Sequence, residues 1–337
     1  MSRVRIVVSA LALIVILAAS AAILLSARGE KAGTDSGAFS DERAHMESLF
    51  AGRSAAEAFG MFKNENAKLS AVDQHTSAHI FGEVLYEHEG IKGFTVCDGS
   101  FGFGCYHSFL GRAIAEHGPD VVKVLDATCV TIYGPDGTGC FHGIGHGLLS
   151  YYGYGIQDVE KSLSLCATLS WKKPIGGCAD GVFMEYNFRV MEKDATKRYR
   201  PFDAGNVYEP CPSLSLYPEA CYFGLPAWWA TALPFDSALP QKLGGFCAAV
   251  AESRLRVACY RGLGYGIIPE THFNADAGEV FCDNAATGNA RLWCREGLAW
   301  AFYADPVTRD KAEGVCTKGL NASESSTCLK EYFFAIQ

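Results

Sequence analysis

The feature that most limits what this chain can become is the placement of its cysteines. All 14 lie beyond Val96 and fall into consecutive pairs: Cys97/Cys105, Cys129/Cys140, Cys166/Cys178, Cys211/Cys221, Cys247/Cys259, Cys282/Cys294 and Cys316/Cys328. Members of a pair stand 8 to 12 residues apart, and the second members recur every 34 to 43 residues. A period of that size is the length of a helical hairpin. One unit shows how it works. Asp158 to Ser170 has helical spacing with Cys166 late in the run, Trp-Lys-Lys-Pro-Ile-Gly-Gly breaks it, and Cys178 opens a second helix through Phe188. Each pair is therefore expected to staple the end of one helix to the start of the next. Closing a loop of about 12 residues stabilises by roughly 3 kcal/mol in the chain-entropy account. The pairing itself is an expectation, because spacing alone does not fix connectivity.

Counting from the second cysteine of each unit turns the repeat into columns. Position +4 reads Phe109, Ile144, Val182, Leu225, Leu263, Leu298, and position +1 includes Tyr106, Phe141, Tyr222 and Tyr260. With position +8 these make an apolar stripe that packs the second helix into a core. Position +3 is Ser108, then Gly143, Gly181, Gly224, Gly262 and Gly297, so elements approach closely there. An eighth unit without cysteines precedes the rest, with His75-Thr-Ser-Ala-His79 aligned on His142-Gly-Ile-Gly-His146. The expected fold is all-α: about eight helical-hairpin repeats, as an open α-solenoid or a closed α/α toroid, stapled by disulfides within each repeat.

The N-terminus adds a membrane segment. Arg3 and Arg5 precede an uncharged run from Ile6 to Ala27, long enough to span a bilayer and longer than a usual signal-peptide core. Residues 1–27 are read as a signal-anchor helix with its N-terminus cytoplasmic, and cleavage after Ala27 is the alternative. Residues 28–44 are a polar linker, a helical pattern runs from about His45 to Lys68, and 45–337 form the repeat domain, periplasmic or extracellular. An even set of cysteines in an exported chain is a disulfide framework. No CxxC or CxxCH occurs, which removes zinc-ribbon, thioredoxin-type and c-type haem readings. A net charge of −8 and pI near 5.6 supply no basic footprint for nucleic acid.

Two columns depart from the scaffold. Position +2 reads His75, His107, His142, Asp180, Phe223, Arg261, Glu296, and position +6 reads His79, Gly111, His146, Met184, Ala227, Tyr265, Trp300. At about 100° per residue both lie on one helix face, roughly 150° from the apolar stripe, so these histidines are not expected as plugs in the apolar core. His-x-x-x-His places two imidazoles one turn apart, where they can share a metal. Two sets are expected as alternatives: His107 with His142 and His146, or His107 with His75 and His79. Glu83 and Asp180 are candidate oxygen ligands. With Glu185 they are also the candidate catalytic groups. The bland alternative is helix-start histidines bonded to loop carbonyls. Gly145 and Gly147, unfavourable inside a helix, demand close approach of a cofactor or of a neighbouring helix.

Met184 shares the histidine face and would suit copper or a haem iron, or simple packing. Tyr265 and Trp300 carry the same face on as an aromatic groove. The longest interval between units holds Arg189 to Pro210, with Lys193, Lys197, Arg198 and Arg200 read as a solvated basic loop. His45, His88, His117 and His272 fall outside the columns and are read as surface residues. No Ser-His-Asp order, P-loop or dinucleotide fingerprint appears. The residues thus point to a histidine-based site for a transition metal ion (Cu, Zn or Fe) or haem, with oxidoreductase chemistry as one outcome. The alternative is a non-catalytic, membrane-tethered scaffold that takes a small molecule, a peptide or an envelope protein on its inner face.

Overall fold

The computed structural model describes residues 35–134, 137–192, 199–304 and 308–334. Among them lie fifteen α-helices and no β-strand. The apolar segment 1–27 lies outside the described residues, and no described helix is long and apolar enough to cross a membrane. The chain divides into two compact units, Met1–Ser48 and Leu49–Gln337. The first helix, α1 (Asp35–Leu49), starts within the stretch read as a linker. Where apolar spacing suggested one helix from His45 to Lys68, there are two. Gly52 takes a left-handed φ of 69° after α1, and Ser54 caps α2 (Ala55–Asn66) through a reciprocal pair of bonds with Glu57. A capping box outranks continuous apolar spacing because it satisfies two orphan amides at once.

The helices that follow are α3 (Ala71–Glu89), α4 (Gly104–His117), α5 (Val122–Tyr133), α6 (Thr138–Tyr152), α7 (Ile156–Cys166) and α8 (Gly177–Phe188). Then come α9 (Pro218–Ala232), α10 (Leu239–Ala248), α11 (Ser253–Gly266), α12 (Ala275–Ala285), α13 (Gly288–Ala304), α14 (Lys311–Thr317) and α15 (Ala322–Phe334). The second helices of the hairpins stack as one inner row, α3 on α4, then α6, α8, α9, α11 and α13 in succession. The first helices, among them α5, α7, α10 and α12, back that row. The +4 column is buried throughout, from Phe109 and Ile144 to Leu298.

All seven cysteine pairs are bonded in the consecutive order. Cys97 joins Cys105, Cys129 joins Cys140, Cys166 joins Cys178, and Cys211 joins Cys221. Cys247 joins Cys259, Cys282 joins Cys294, and Cys316 joins Cys328. Every one of these cysteines is buried. One part of the expected staple needs correction. Cys105, Cys140 and Cys178 do stand at the starts of α4, α6 and α8. In the later units the second cysteine lies inside its helix: Cys221 at the end of the first turn of α9, and Cys259, Cys294 and Cys328 in the second turn of α11, α13 and α15. The cause is loop length. Between Cys166 and Cys178 most of the interval is loop, whereas α11, α13 and α15 begin only a few residues after the preceding helix ends. With the cysteine separation held at 12, a shorter loop leaves more of the interval to the second helix.

Glycines set the spacing of the row. A methyl group on Gly181, Gly262 or Gly297 would overlap the carbonyl of the +2 residue in the preceding helix, respectively His142, Phe223 and Arg261. One on Gly145 or Gly264 would overlap the second cysteine's carbonyl in the following helix, Cys178 or Cys294. The close approach that Gly145 and Gly147 demanded is thus to neighbouring helices, α8 for the first and α4 for the second. In α3 the equivalent contact belongs to Gly82, against Cys105. That sets α3 one turn away from the alignment of its histidine pair on His142 and His146: His79 takes the place of His142, Glu83 that of His146, and His75 lies a turn earlier.

Candidate metal centre

Because the inner row is tightly spaced, the +2 and +6 faces of α3, α4 and α6 meet. His75 and His79 come from α3, His107 from α4, and His142 and His146 from α6. The ligand atoms of His75, His79 and His107 lie within 4.8 Å of one another, and so do those of His107, His142 and His146. Both sets expected as alternatives therefore occur together and share His107. Nε2 of His79 stands 3.1 Å from Nε2 of His75 and 3.2 Å from Nδ1 of His107. Nε2 of His146 stands 2.9 Å from Nε2 of His142. The face lies apart from the apolar stripe, as expected, and is nonetheless enclosed. His107 is 2% exposed, His146 0% and His142 9%. A face turned away from the core of its own hairpin meets the same face of the neighbouring helices, which enclose it. No thiolate competes for an ion here, since all fourteen cysteines are committed to disulfides.

The outer histidines are held at Nδ1. The ring of His75 bonds the Phe101 carbonyl at 2.8 Å, and that of His79 bonds Ser108 Oγ at 2.9 Å. His142 meets Asp180 at 3.1 Å and His146 meets Glu185 at 2.8 Å, both carboxylates being on α8. A carbonyl or carboxylate oxygen only accepts, so the Nδ1 atoms of His75 and His146 carry the protons and their Nε2 atoms are lone pairs, and the Asp180 carboxylate beside His142 Nδ1 favours the same tautomer there. Second-shell acceptors of this kind fix imidazole orientation at metal sites. The Phe101 acceptor is presented by a left-handed run, with φ of 56° at Phe101, 61° at Gly102 and 65° at Phe103. Three consecutive residues in a region that non-glycine residues avoid mark a place where the surrounding structure imposes the backbone.

Burial holds the His107, His146 and His75 rings below the ordinary histidine value, and the neighbouring imidazoles push His107 and His146 lower still. These three rings are therefore neutral near pH 7. Glu185 is fully buried, and burial pushes its carboxyl up to about 7. The Tyr154 hydroxyl donates to Glu185 Oε1 at 2.7 Å and the Met191 amide at 3.1 Å, both holding it down. Among the described residues no lysine or arginine pairs with Glu185.

A cavity of about 330 Å³ opens on the second triad. Its lining includes His107, His142, Asp180, Met184, Tyr265 and Trp300. Met184, Tyr265 and Trp300 thus share one wall system with two of the histidines and one candidate carboxylate. Tyr265 and Trp300 pack on Phe223 with ring centroids 5.1 to 5.3 Å apart. Glu83 is half-buried and belongs to neither triad. In the later units the +2 column is structural, since Arg261 pairs with Glu296 at 2.9 Å. His45, His88, His117 and His272 are exposed.

The loop after α8 departs from the reading as a solvated basic segment. Lys193, Lys197 and Arg198 lie outside the described residues. Arg200 stacks on Trp228, 3.5 Å from the ring centre, and donates to the Glu209 carbonyl at 2.7 Å. Met191 bonds Glu185 and packs its methyl over Gly111. Ser108, Tyr154 and Met191 were not foreseen as parts of the site. Ser108 had a visible signal, being the exception in a glycine column, whereas Tyr154 and Met191 are loop residues whose contacts are distant in sequence. Comparison of the chain with protein-family models, curated proteins and solved structures gives no match. The residues alone define the class: an all-helical, disulfide-stapled repeat protein with buried histidine clusters able to hold metal.

Proposed function

We propose that this chain is a transition-metal-binding repeat protein of an oxidising compartment outside the cytoplasm, tethered by its N-terminal apolar segment. One observation carries the reading. Nε2 of His142 and Nε2 of His146 face each other at 2.9 Å while both Nδ1 atoms are committed to carboxylates. Two buried lone pairs at that distance repel, and a cation between them removes the conflict. Zinc-like bonds of about 2.0–2.1 Å at a tetrahedral angle put ligand nitrogens about 3.3 Å apart, close to the 2.9 to 3.2 Å spacings here. Asp180 and Glu185 supply the negative charge that such an ion needs. Axial nitrogens of a haem stand about 4 Å apart across the macrocycle, twice an iron–nitrogen bond of about 2 Å, so the convergence favours a bare ion over haem. Imidazole nitrogens suit copper or zinc. The cavity beside His142 gives a small molecule access to the ion, and oxidoreductase chemistry is one activity that such access would allow.

A competing reading follows from the near-neutral Glu185. A proton held between Glu185 and His146 would let His146 donate to His142 and would relieve the same conflict without metal. The protein would then be a scaffold, with Tyr265 and Trp300 receiving a peptide or envelope protein. Elemental analysis of the full chain, purified oxidised and without a histidine tag, separates the two. The metal reading expects near-stoichiometric transition metal, lost when His75, His79, His142 and His146 are all replaced by glutamine. A chain that carries no metal and takes up no zinc, copper or iron sinks it.

A further inference from the structure

We propose that the five histidines form a two-metal centre in which the ring of His107 bridges the ions. Its Nδ1 would serve the ion held by His75 and His79, and its Nε2 the ion held by His142 and His146. The inference rests on the metal-site reading above and goes beyond it in number, arrangement and division of labour. His107 is the member common to both triads and sits on the middle one of three stacked helices. The other four histidines each have Nδ1 tied to a group outside the cluster: Phe101, Ser108, Asp180 or Glu185. Each of those has only Nε2 to offer an ion.

His107 differs at both nitrogens. Its Nδ1 faces inward, 3.2 Å from His79 Nε2, and its Nε2 is buried with no hydrogen-bond partner among the described residues. An orphaned buried nitrogen is costly and asks for an explanation. A ring that offers both nitrogens inside a cluster, beside rings that offer one each, is what a shared ligand requires. The ring lies closest to His146, with centroids 4.5 Å apart.

The chemistry balances without a redox partner. Binding the second ion displaces the remaining N–H proton of His107, which passes to the buffer. The bridging ring, Asp180 and Glu185 then set three negative charges against two divalent ions. The two positions are also unequal. The cavity is lined by His107 and His142 but not by His75 or His79. The ion at His142 and His146 thus borders the cavity, whereas the ion at His75 and His79 does not, although those two rings are themselves only half-buried.

Copper(II) is the probe. Metal-free full chain is titrated with it, desalted, and assayed for copper and for its electron paramagnetic resonance signal. Two coppers per chain are expected, with the doubly loaded protein losing most of the signal seen at one equivalent, because spins joined through one ring couple. His75→Gln with His79→Gln, and His142→Gln with His146→Gln, should each leave one copper with full signal. A single copper per chain, or two with additive signals, overturns the bridge and leaves the metal site standing. No copper bound above the level of the exposed histidines removes the metal site itself.

Discussion

Glu185 is the residue on which the centre's electrostatics turn. Its side chain is fully buried, and it accepts from His146, Tyr154 and the Met191 amide. Glu185→Gln keeps the volume but deletes the charge, and its amide, if it donates, forces His146 into the tautomer that has no lone pair at Nε2. Second-shell changes of this kind weaken metal affinity by about 10–100-fold. The expected result for Glu185→Gln is therefore a loss of that size in zinc affinity, measured by chelator competition, with helical content unchanged. Tyr154→Phe leaves the carboxylate in place and should cost less. Unaltered affinity in Glu185→Gln would mean that the carboxylate merely packs. At this scale the histidines and the two carboxylates of α8 were legible, because residue type and helical spacing declare them. Tyr154 and Met191 were not, because a loop residue's partners depend on where the chain returns.

At the scale of helices, glycine decides what can meet. Gly145 lies with its backbone against α8, where a methyl group would overlap the Cys178 carbonyl. The overlap is with backbone and not with a movable side chain, so α6 and α8 must separate. Overpacking of this kind costs typically about 1–3 kcal/mol. Gly145→Ala is expected to lower the melting temperature and to reduce metal affinity together, since His146 and Glu185 sit on the two helices forced apart. A lower melting temperature with unaltered affinity would show that the spacing serves the fold alone. The hairpins and their disulfides could be read in advance because cysteine spacing is periodic and local. Where each helix begins relative to Cys221, Cys259, Cys294 or Cys328 could not, because a fixed cysteine interval divides between loop and helix in more than one way. Nor could the register of α3. The His-x-x-x-His match pointed to one alignment, while the backbone follows the close contact of Gly82 with Cys105. The break at Gly52 was hidden for a related reason, because apolar spacing runs across it while the capping pair of Ser54 and Glu57 ends it.

For the whole molecule, burying three imidazoles with depressed pKa values makes stability depend on pH. His75, His107 and His146 titrate below 6.5 in the folded chain, first because burial disfavours the charged ring. The unfolded chain takes up protons near 6.5 that the folded one refuses, so this stability is full above 6.5 and is lost as pH falls toward the folded values. Glu185 works in the opposite direction. Raised to about 7 by burial, it disfavours the folded state above that pH and relieves it on acidification. Three rings oppose one carboxyl. The metal-free chain should thus show a falling melting temperature from pH 7 down to pH 5. A metal-loaded chain should fall more steeply, because protons also compete for the ligand nitrogens. A flat profile in the metal-free chain would mean that water reaches the cluster. The extent of the burial was not legible in one hairpin, since this face becomes interior only where neighbouring helices of the row pack against it.

The central claim is that the buried imidazoles, and no other groups, hold a metal ion. X-ray absorption at the edge of the metal that co-purifies with the full chain tests this most directly. The expected spectrum has a first shell of nitrogen or oxygen at about 2.0–2.1 Å, with the outer-shell scattering of several imidazole rings. That pattern should disappear when His75, His79, His142 and His146 are replaced together by glutamine. A sulfur shell, a shell of water alone, or an unchanged spectrum in the replaced chain would contradict the account.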